Sequence, residues 1–91
     1  MFEEEAVELK KSSWPLCDRL AASLAARGKS ALPALQSALT SRIHHVRSAC
    51  LREIVKIDPE LGKSLATVAL KDRAYEVRET SAKILGIPVP D

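Results

Sequence analysis

The fold is decided by two segments, SRIHHVRSAC at residues 41–50 and DRAYEVRETS at residues 72–81. Both contain a Val-Arg pair, and the two pairs lie 31 residues apart. When residues 31–55 are aligned with residues 62–86, five of the 25 positions are identical, which exceeds the chance level. Self-similarity at an interval of this size predicts a stack of helical hairpins that share one elongated core.

The composition favours an all-helical chain. Of the 91 residues, 46% are hydrophobic but only 3% are aromatic, and alanine and leucine dominate the apolar set. Small apolar side chains let helices approach each other closely. No stretch alternates apolar and polar residues for long, and the few β-branched residues fall at helical spacings, so no strand is predicted.

The apolar spacing predicts six helices. The first covers residues 2–11, and the second begins at Pro15 and stops at Gly28, a residue that tolerates the left-handed conformation ending many helices. Gly86 and the tail at residues 87–90 are expected to end the sixth helix, because the two prolines of the tail forbid its continuation. The predicted caps of helices three to six are Ser30, Ser41, Asp58 and Asp72.

Each predicted helix has an apolar stripe that should face the core. The predicted core positions are Cys17, Leu20, Ala21 and Leu24 in the second helix; Leu32, Leu35, Ala38 and Leu39 in the third; Ile43, Val46, Cys50, Ile54 and Ile57 in the fourth; Leu61, Leu65, Val68 and Ala69 in the fifth; and Ala74, Val77, Ser81, Ile84 and Leu85 in the sixth.

Short turns join these helices, so they are expected to pack as three antiparallel hairpins. The prediction is a single all-α domain over residues 1–91, an α-solenoid (α-α superhelix) with five to six helices. Its repeats cover about residues 2–28, 30–57 and 58–87, and the first is divergent.

The segments at residues 41–50 and 72–86 resemble the second helix of HEAT repeats, particularly the short variety found in phycobilin lyases and many bacterial scaffold proteins. The resemblance covers about residues 30–86. It is weak in residues 1–28, where Trp-Pro-Leu-Cys at residues 14–17 replaces the usual Asp, Val and Arg. It implies about three HEAT-like hairpins.

In that family a turn aspartate and an arginine of the second helix commonly form a ladder between successive repeats. The resemblance therefore implies structural roles between repeats for Arg47, Asp72 and Arg78. Ser41 replaces the aspartate of the second repeat, and the first repeat lacks the arginine, so an incomplete ladder is expected. We favour this interpretation over ligand binding, because a partly buried arginine needs hydrogen bonds to carboxylate or carbonyl groups.

The net charge of +2 conceals an uneven distribution. Residues 1–9 sum to −4, residues 10–56 to +7, and the remaining residues to −1. A basic middle section attracts polyanions. The alternative explanation, which we favour, is that these charges lie on solvated helix faces.

Residues capable of metal binding or catalysis are few. His44, His45 and Cys50 are suitable zinc ligands, but adjacent histidines on a helix point about 100° apart and need a partner from elsewhere to face one ion. Cys50 lies on the inward stripe, where a small apolar residue is wanted. There is no Ser-His-acid signature and no glycine-rich phosphate loop. We therefore predict no metal site, no cofactor, no catalytic residues and no enzymatic activity.

The inner surface formed by the second helices is the predicted partner surface, because solenoids use this extended concave side to hold partners. Its mixed charge suits a protein segment better than DNA. The expected function is therefore a non-catalytic protein-binding or scaffold module, whose partner is another protein or a second copy of the chain. Its residues are His45, Arg52, Lys56, Glu76, Glu79 and Lys83, with Trp14 as an anchor or, alternatively, as a staple between the first two helices.

The alternative function is binding to the phosphate backbone of duplex nucleic acid. Basic residues recur near the starts of the second helices, where unpaired amides favour phosphate. The scarcity of aromatic residues argues against single-stranded nucleic acid. A third function, bilin binding, is implied by the resemblance alone, and the short chain counts against it. The phosphate-contact residues would be Lys10, Lys11, Arg42, Lys71 and Arg73.

The cysteine pattern predicts the compartment. Cys17 and Cys50 are isolated thiols without CxxC spacing, which fits a reducing compartment. The N-terminal residues lack the basic and apolar regions of a secretory signal, and no segment is long enough to span a bilayer. We therefore expect a cytoplasmic protein without a membrane partner.

Overall fold

Five α-helices and one 3-10 helix make up residues 16–89, the part of the chain that the computed structural model describes, with side chains from residue 19 onward. No strand occurs in this range, so the all-α prediction is confirmed. Three sequence predictions lie outside the described residues and side chains: the helix at residues 2–11, the helix start at Pro15 and the inward-facing side chain of Cys17. The helices are α1 (Leu16–Ala25), the 3-10 helix (Gly28–Ala31), α2 (Leu32–Ala38), α3 (His44–Ile57), α4 (Pro59–Ala69) and α5 (Tyr75–Leu85).

Helix α3 lies at the centre and contacts each of the other four helices. It packs against α1 on one side and α5 on the other, while α2 and α4 complete two helical hairpins with α3 and α5. Neighbouring second helices in consecutive hairpins are consistent with a short solenoid. Within residues 16–89, no helix combines the length and the apolar character needed to cross a bilayer.

The two hairpin turns make the same arginine contact, 31 residues apart. Nη1 of Arg47 donates to the carbonyl of Ser41 at 2.8 Å, and Nη1 of Arg78 donates to the carbonyl of Asp72, also at 2.8 Å. Each arginine therefore ties the first turns of its helix to the turn that precedes it. The interval found in the sequence is thus also an interval of three-dimensional structure.

Ser41 and Asp72 stabilise these turns, but not as the predicted helix caps. The residues at the N-cap positions are Ile43 and Ala74, which have extended backbones and no side-chain cap. Ser41 Oγ accepts from the Ile43 N–H at 3.1 Å, and Asp72 Oδ1 accepts from the Ala74 N–H at 2.8 Å. The predicted cap positions were two residues too early, because these side chains close the turn rather than bond the first turn of the helix.

The cap predictions at the other two helices had opposite outcomes. Asp58 is confirmed as the cap of α4, since its carboxylate accepts from the Leu61 N–H at 3.2 Å. Ser30 as a cap is wrong: it lies inside the 3-10 helix that runs into α2, and its hydroxyl donates to the Arg27 carbonyl at 2.9 Å. The 3-10 helix already supplies the turn preceding α2, so that helix begins without a side-chain cap.

Two glycines have the left-handed conformation expected at helix ends. Gly86 has φ 71° and ends α5, and Gly28 has φ 72° in the turn after α1. A β-carbon disfavours this conformation, which is why glycine is common there.

The predicted core stripes of α1, α2, α3 and α5 are largely confirmed, and in α4 the predicted Leu61 and Leu65 are partly buried against the core. Val68 is wrong as a core position, since it is 72% exposed, and the buried residues of α4 are Gly62 and Ala66. A β-carbon at position 62 would lie 2.6 Å from Cα of Val55, so α4 lies close to the backbone of α3 there. The fully buried large side chains are Leu24, Leu35, Val46, Leu51, Ile54 and Val77.

Candidate functional site

A bidentate ion pair joins the two complete hairpins. Arg47 Nε donates to Oδ2 of Asp72 at 2.8 Å, and Nη2 donates to Oδ1 at 2.9 Å, with the side chains only 12% and 15% exposed. Burial raises the pKa of Asp72, but hydrogen bonds from Arg47 and the Ala74 amide, together with the charges of Arg47 and Arg73, outweigh it and leave the pKa below its ordinary value. The contact joins two of the three residues for which the family resemblance implied structural roles between repeats.

Arg78 occupies the equivalent position in the next hairpin but has a different environment. Its guanidinium lies 5.8 Å from the centre of the Tyr75 ring. Its Nε is buried and has no hydrogen-bond acceptor among the described residues, whereas Nε of Arg47 binds Asp72. Within residues 16–89, the two equivalent arginines therefore share the contact with the turn carbonyl, and only Arg47 adds an ion pair.

Two histidines at the start of α3 converge on one carboxylate of α5. Nδ1 of His44 and Nδ1 of His45 lie 2.9 Å and 2.6 Å from the same Oε1 of Glu76. The two rings are 4.2 Å apart between centroids and tilted by 44°. Burial raises the pKa of Glu76. The hydrogen bonds that its carboxylate accepts from both histidines, together with the histidine charges, outweigh burial and leave the pKa below its ordinary value.

The sequence predicted His45 and Glu76 on one surface, but not that His44 and His45 both reach Oε1 of Glu76. A usable signal was the repeat interval. His44 contacts Glu76 and Ser48 contacts Thr80, in each case across 32 residues. Since His45 also contacts Glu76, across 31 residues, side chains that meet across α3 and α5 are separated by 31 or 32 residues. Two histidines and a glutamate at those spacings are the sequence signal for the cluster.

A groove with a cavity of about 290 Å³ lies between α3 and α5. The buried hydroxyls of Ser48 and Thr80, which share a hydrogen bond at 2.6 Å, lie in this interface. Lys56 does not line the groove and instead pairs with Glu53 at 3.3 Å. Four residues of the predicted partner surface line it, namely Arg52, Glu76, Glu79 and Lys83.

A second, more apolar cavity of about 490 Å³ opens where the C-terminal ends of α2 and α4 meet α3. Leu39, Leu65 and Val68 contribute to its wall, and the Arg47–Asp72 pair lies at its edge. The exposed Val68 is thus a lining residue of an open cavity rather than a core residue.

The structure describes only some of the residues that were predicted to contact phosphate. Lys10, Lys11 and the predicted anchor Trp14 lie outside residues 16–89. The other three predicted phosphate contacts are exposed, namely Arg42, Lys71 and Arg73. Arg42 and Arg73 each directly precede the N-cap residue of a second helix.

No match to the chain was found among models of protein families, curated proteins or solved structures. The chemistry of the described residues therefore carries the functional proposals.

Proposed function

We propose that this chain is a non-catalytic protein-binding or scaffold module, built from a short stack of HEAT-like hairpins. The observation that carries the proposal is the groove between α3 and α5, in which two positive side chains and two negative side chains surround one cavity. The repeated arginine contacts of the two turns support the HEAT-like classification.

The charges of the groove favour a peptide over a polyanion. Arg52 and Lys83 attract acidic side chains, while Glu76 and Glu79 attract basic ones and repel phosphates. A segment that carries charges of both signs would therefore bind better than a nucleic-acid backbone.

The floor of the groove is already ordered. Ser48 and Thr80 are buried and bonded to each other, so binding a partner need not immobilise them. A cavity of about 290 Å³ is small, and we expect weak, transient binding of the kind that small interfaces give.

The compartment follows from the thiol chemistry. Cys50 is a buried free cysteine, which suits a reducing environment, and on that ground we infer a cytoplasmic protein.

The test is selection from a displayed library of short peptides with the wild-type chain as bait. Enriched peptides are then titrated against the wild type and against a variant with Arg52→Glu and Lys83→Glu. We expect peptides of mixed charge to be enriched, and we expect the variant to bind them at least about tenfold more weakly, since like charges would face the acidic residues of the peptide.

The matched control reverses two charges outside the groove, with Lys29→Glu and Lys63→Glu, which are both exposed. It has the same net charge as the groove variant and should bind the peptides as the wild type does. Absence of enrichment, or equal weakening in both variants, would contradict the proposal. Sedimentation of the wild type across a concentration series tests whether the bound partner is a second copy of the chain.

Duplex nucleic acid is the second candidate, favoured by the exposure of Arg42, Lys71 and Arg73. Titration of duplex DNA at two salt concentrations distinguishes it, because phosphate contacts weaken steeply with salt. A steep salt slope that falls in a variant with Arg42→Glu and Arg73→Glu would support this function. No binding at low salt would exclude it.

A further inference from the structure

We propose that His44, His45 and Glu76 form a binding site for one divalent transition-metal ion of the zinc class. The site would link the start of α3 to α5, and therefore one hairpin to the next. Glu76 also lines the groove, so the site adjoins the proposed protein-binding surface, but the two proposals are tested separately, because metal binding is measured without a partner.

The three donor groups already converge. One ligand atom from each of the three residues lies within 4.8 Å of the other two, and both Nδ1 atoms approach the same carboxylate oxygen. Zinc binds imidazole nitrogen and carboxylate oxygen at about 2.0–2.2 Å, so neighbouring ligand atoms in a tetrahedral site are roughly 3.3 Å apart. The present separations of 2.6 Å and 2.9 Å need only a small expansion.

The side chains have room for that expansion. His44 is 46% exposed, and His45 and Glu76 are 35% and 34% exposed, so each can move by a few tenths of an ångström without disturbing the core. The two nitrogens converge, because they lie 2.9 Å and 2.6 Å from the same Oε1 of Glu76. Adjacent helical positions would by themselves point the two histidines about 100° apart. Glu76 of α5 supplies the third ligand, at a carboxylate oxygen that both rings reach.

The donor set selects the class of ion. Two imidazoles and one carboxylate suit zinc and its neighbours Ni²⁺ and Cu²⁺, whereas Mg²⁺ and Ca²⁺ prefer oxygen ligands only. Three protein ligands leave a tetrahedral zinc ion with one open position, which water or a partner's side chain would fill. Binding at Nδ1 requires that this nitrogen carry no proton, so a proton shared with Oε1 moves to Nε2 or to solvent when the ion binds.

Calorimetric titration of the full, tag-free chain with Zn²⁺ near neutral pH tests the site. We expect one ion per chain and a rise in the melting temperature, because the ion binds only the folded arrangement. Glu76→Gln and His45→Gln should each weaken binding by at least about tenfold. With Co²⁺ as the probe, the absorption spectrum should indicate nitrogen and oxygen ligands without a thiolate band, which separates this site from binding by cysteine.

Glu79→Gln is the matched control, because it makes the same chemical change one helical turn away in the groove. It should leave the affinity for Zn²⁺ unchanged, and circular dichroism should confirm that all variants are folded. If the wild type shows no saturable binding, or if Glu76→Gln binds Zn²⁺ as tightly as the wild type, the cluster is a hydrogen-bonded bridge only and the proposal is overturned.

Discussion

Arg47 and Arg78 have equivalent positions and the same carbonyl contact, yet only Arg47 also holds a carboxylate in the described residues. A guanidinium that neutralises a partly buried carboxylate is costly to remove, because the remaining charge is left without compensation. A guanidinium bonded to one carbonyl leaves behind only a neutral acceptor. The same substitution at the two positions should therefore have different costs.

Arg47→Met is predicted to lower the free energy of unfolding by about 2–3 kcal/mol, since it breaks a bidentate pair and leaves Asp72 unpaired. Arg78→Met should cost no more than about 1 kcal/mol, because it removes one bond to a carbonyl. Urea denaturation of both variants, followed by circular dichroism, measures the difference. Equal losses at the two positions would contradict the role of the ion pair.

Asp72 should also produce a dependence of stability on pH. The pKa of Asp72 is lower in the folded chain than in the unfolded chain, where an aspartate has a pKa of about 3.9. The stability that Asp72 contributes is therefore fully present above that unfolded pKa and is lost as the pH falls through the lowered folded pKa. We expect the free energy of unfolding to decrease as the pH is lowered from about 4, and to decrease less steeply in Asp72→Asn.

Denaturant titrations of the wild type and Asp72→Asn across the acidic range measure this effect. Some dependence on pH should persist in the variant, because the pKa of Glu76 is also lowered. Slopes that are identical in the two proteins would show that Asp72 contributes nothing to acid stability.

Among the helices, α4 shows how one small residue sets the orientation of an element. Gly62 lies against the backbone of Val55, and this contact turns Gly62 and Ala66 toward α3. Val68 lies outside this contact and is 72% exposed. The leucine stripe of α4 predicted Leu61 and Leu65 against the core but not this contact, because close approach at a glycine depends on the neighbouring helix and not on the periodicity of α4 itself.

Gly62→Ala is predicted to destabilise the protein by about 1–2 kcal/mol, although alanine is the better helix former by about 1 kcal/mol. The added methyl group would lie 2.6 Å from Cα of Val55, so α3 and α4 would have to separate. Thermal and urea denaturation measure the change. Ser64→Ala, at an exposed position of α4, is the control and should be neutral or slightly stabilising. A stabilised Gly62→Ala variant would disprove the close contact.

For the whole molecule, the central position of α3 determines cooperativity. Because α3 contacts each of the other four helices, no described helix can lose its packing on α3 without weakening the rest. Repeat proteins with many units can unfold locally. A stack this short, with one shared central helix, is instead expected to unfold as a unit.

Ile54→Ala should therefore reduce amide protection in all five described helices together. Ile54 is fully buried in α3, and truncating a buried isoleucine costs about 2–5 kcal/mol. Hydrogen exchange followed by mass spectrometry measures the protection of each helix. Val68→Ala, at a side chain that is 72% exposed, should change little. Loss of protection confined to α3 would contradict a single cooperative unit.

The all-helical class, the 31-residue interval, the cap at Asp58, the left-handed Gly28 and the helix end at Gly86 were all readable from the chain. These features are local or periodic, so they depend on the helical repeat and on residues a few positions apart. The orientation of α4 and the convergence of His44, His45 and Glu76 were not readable in this way. They depend on the distance and rotation between helices that are remote in the chain, and those quantities are set only when the helices pack.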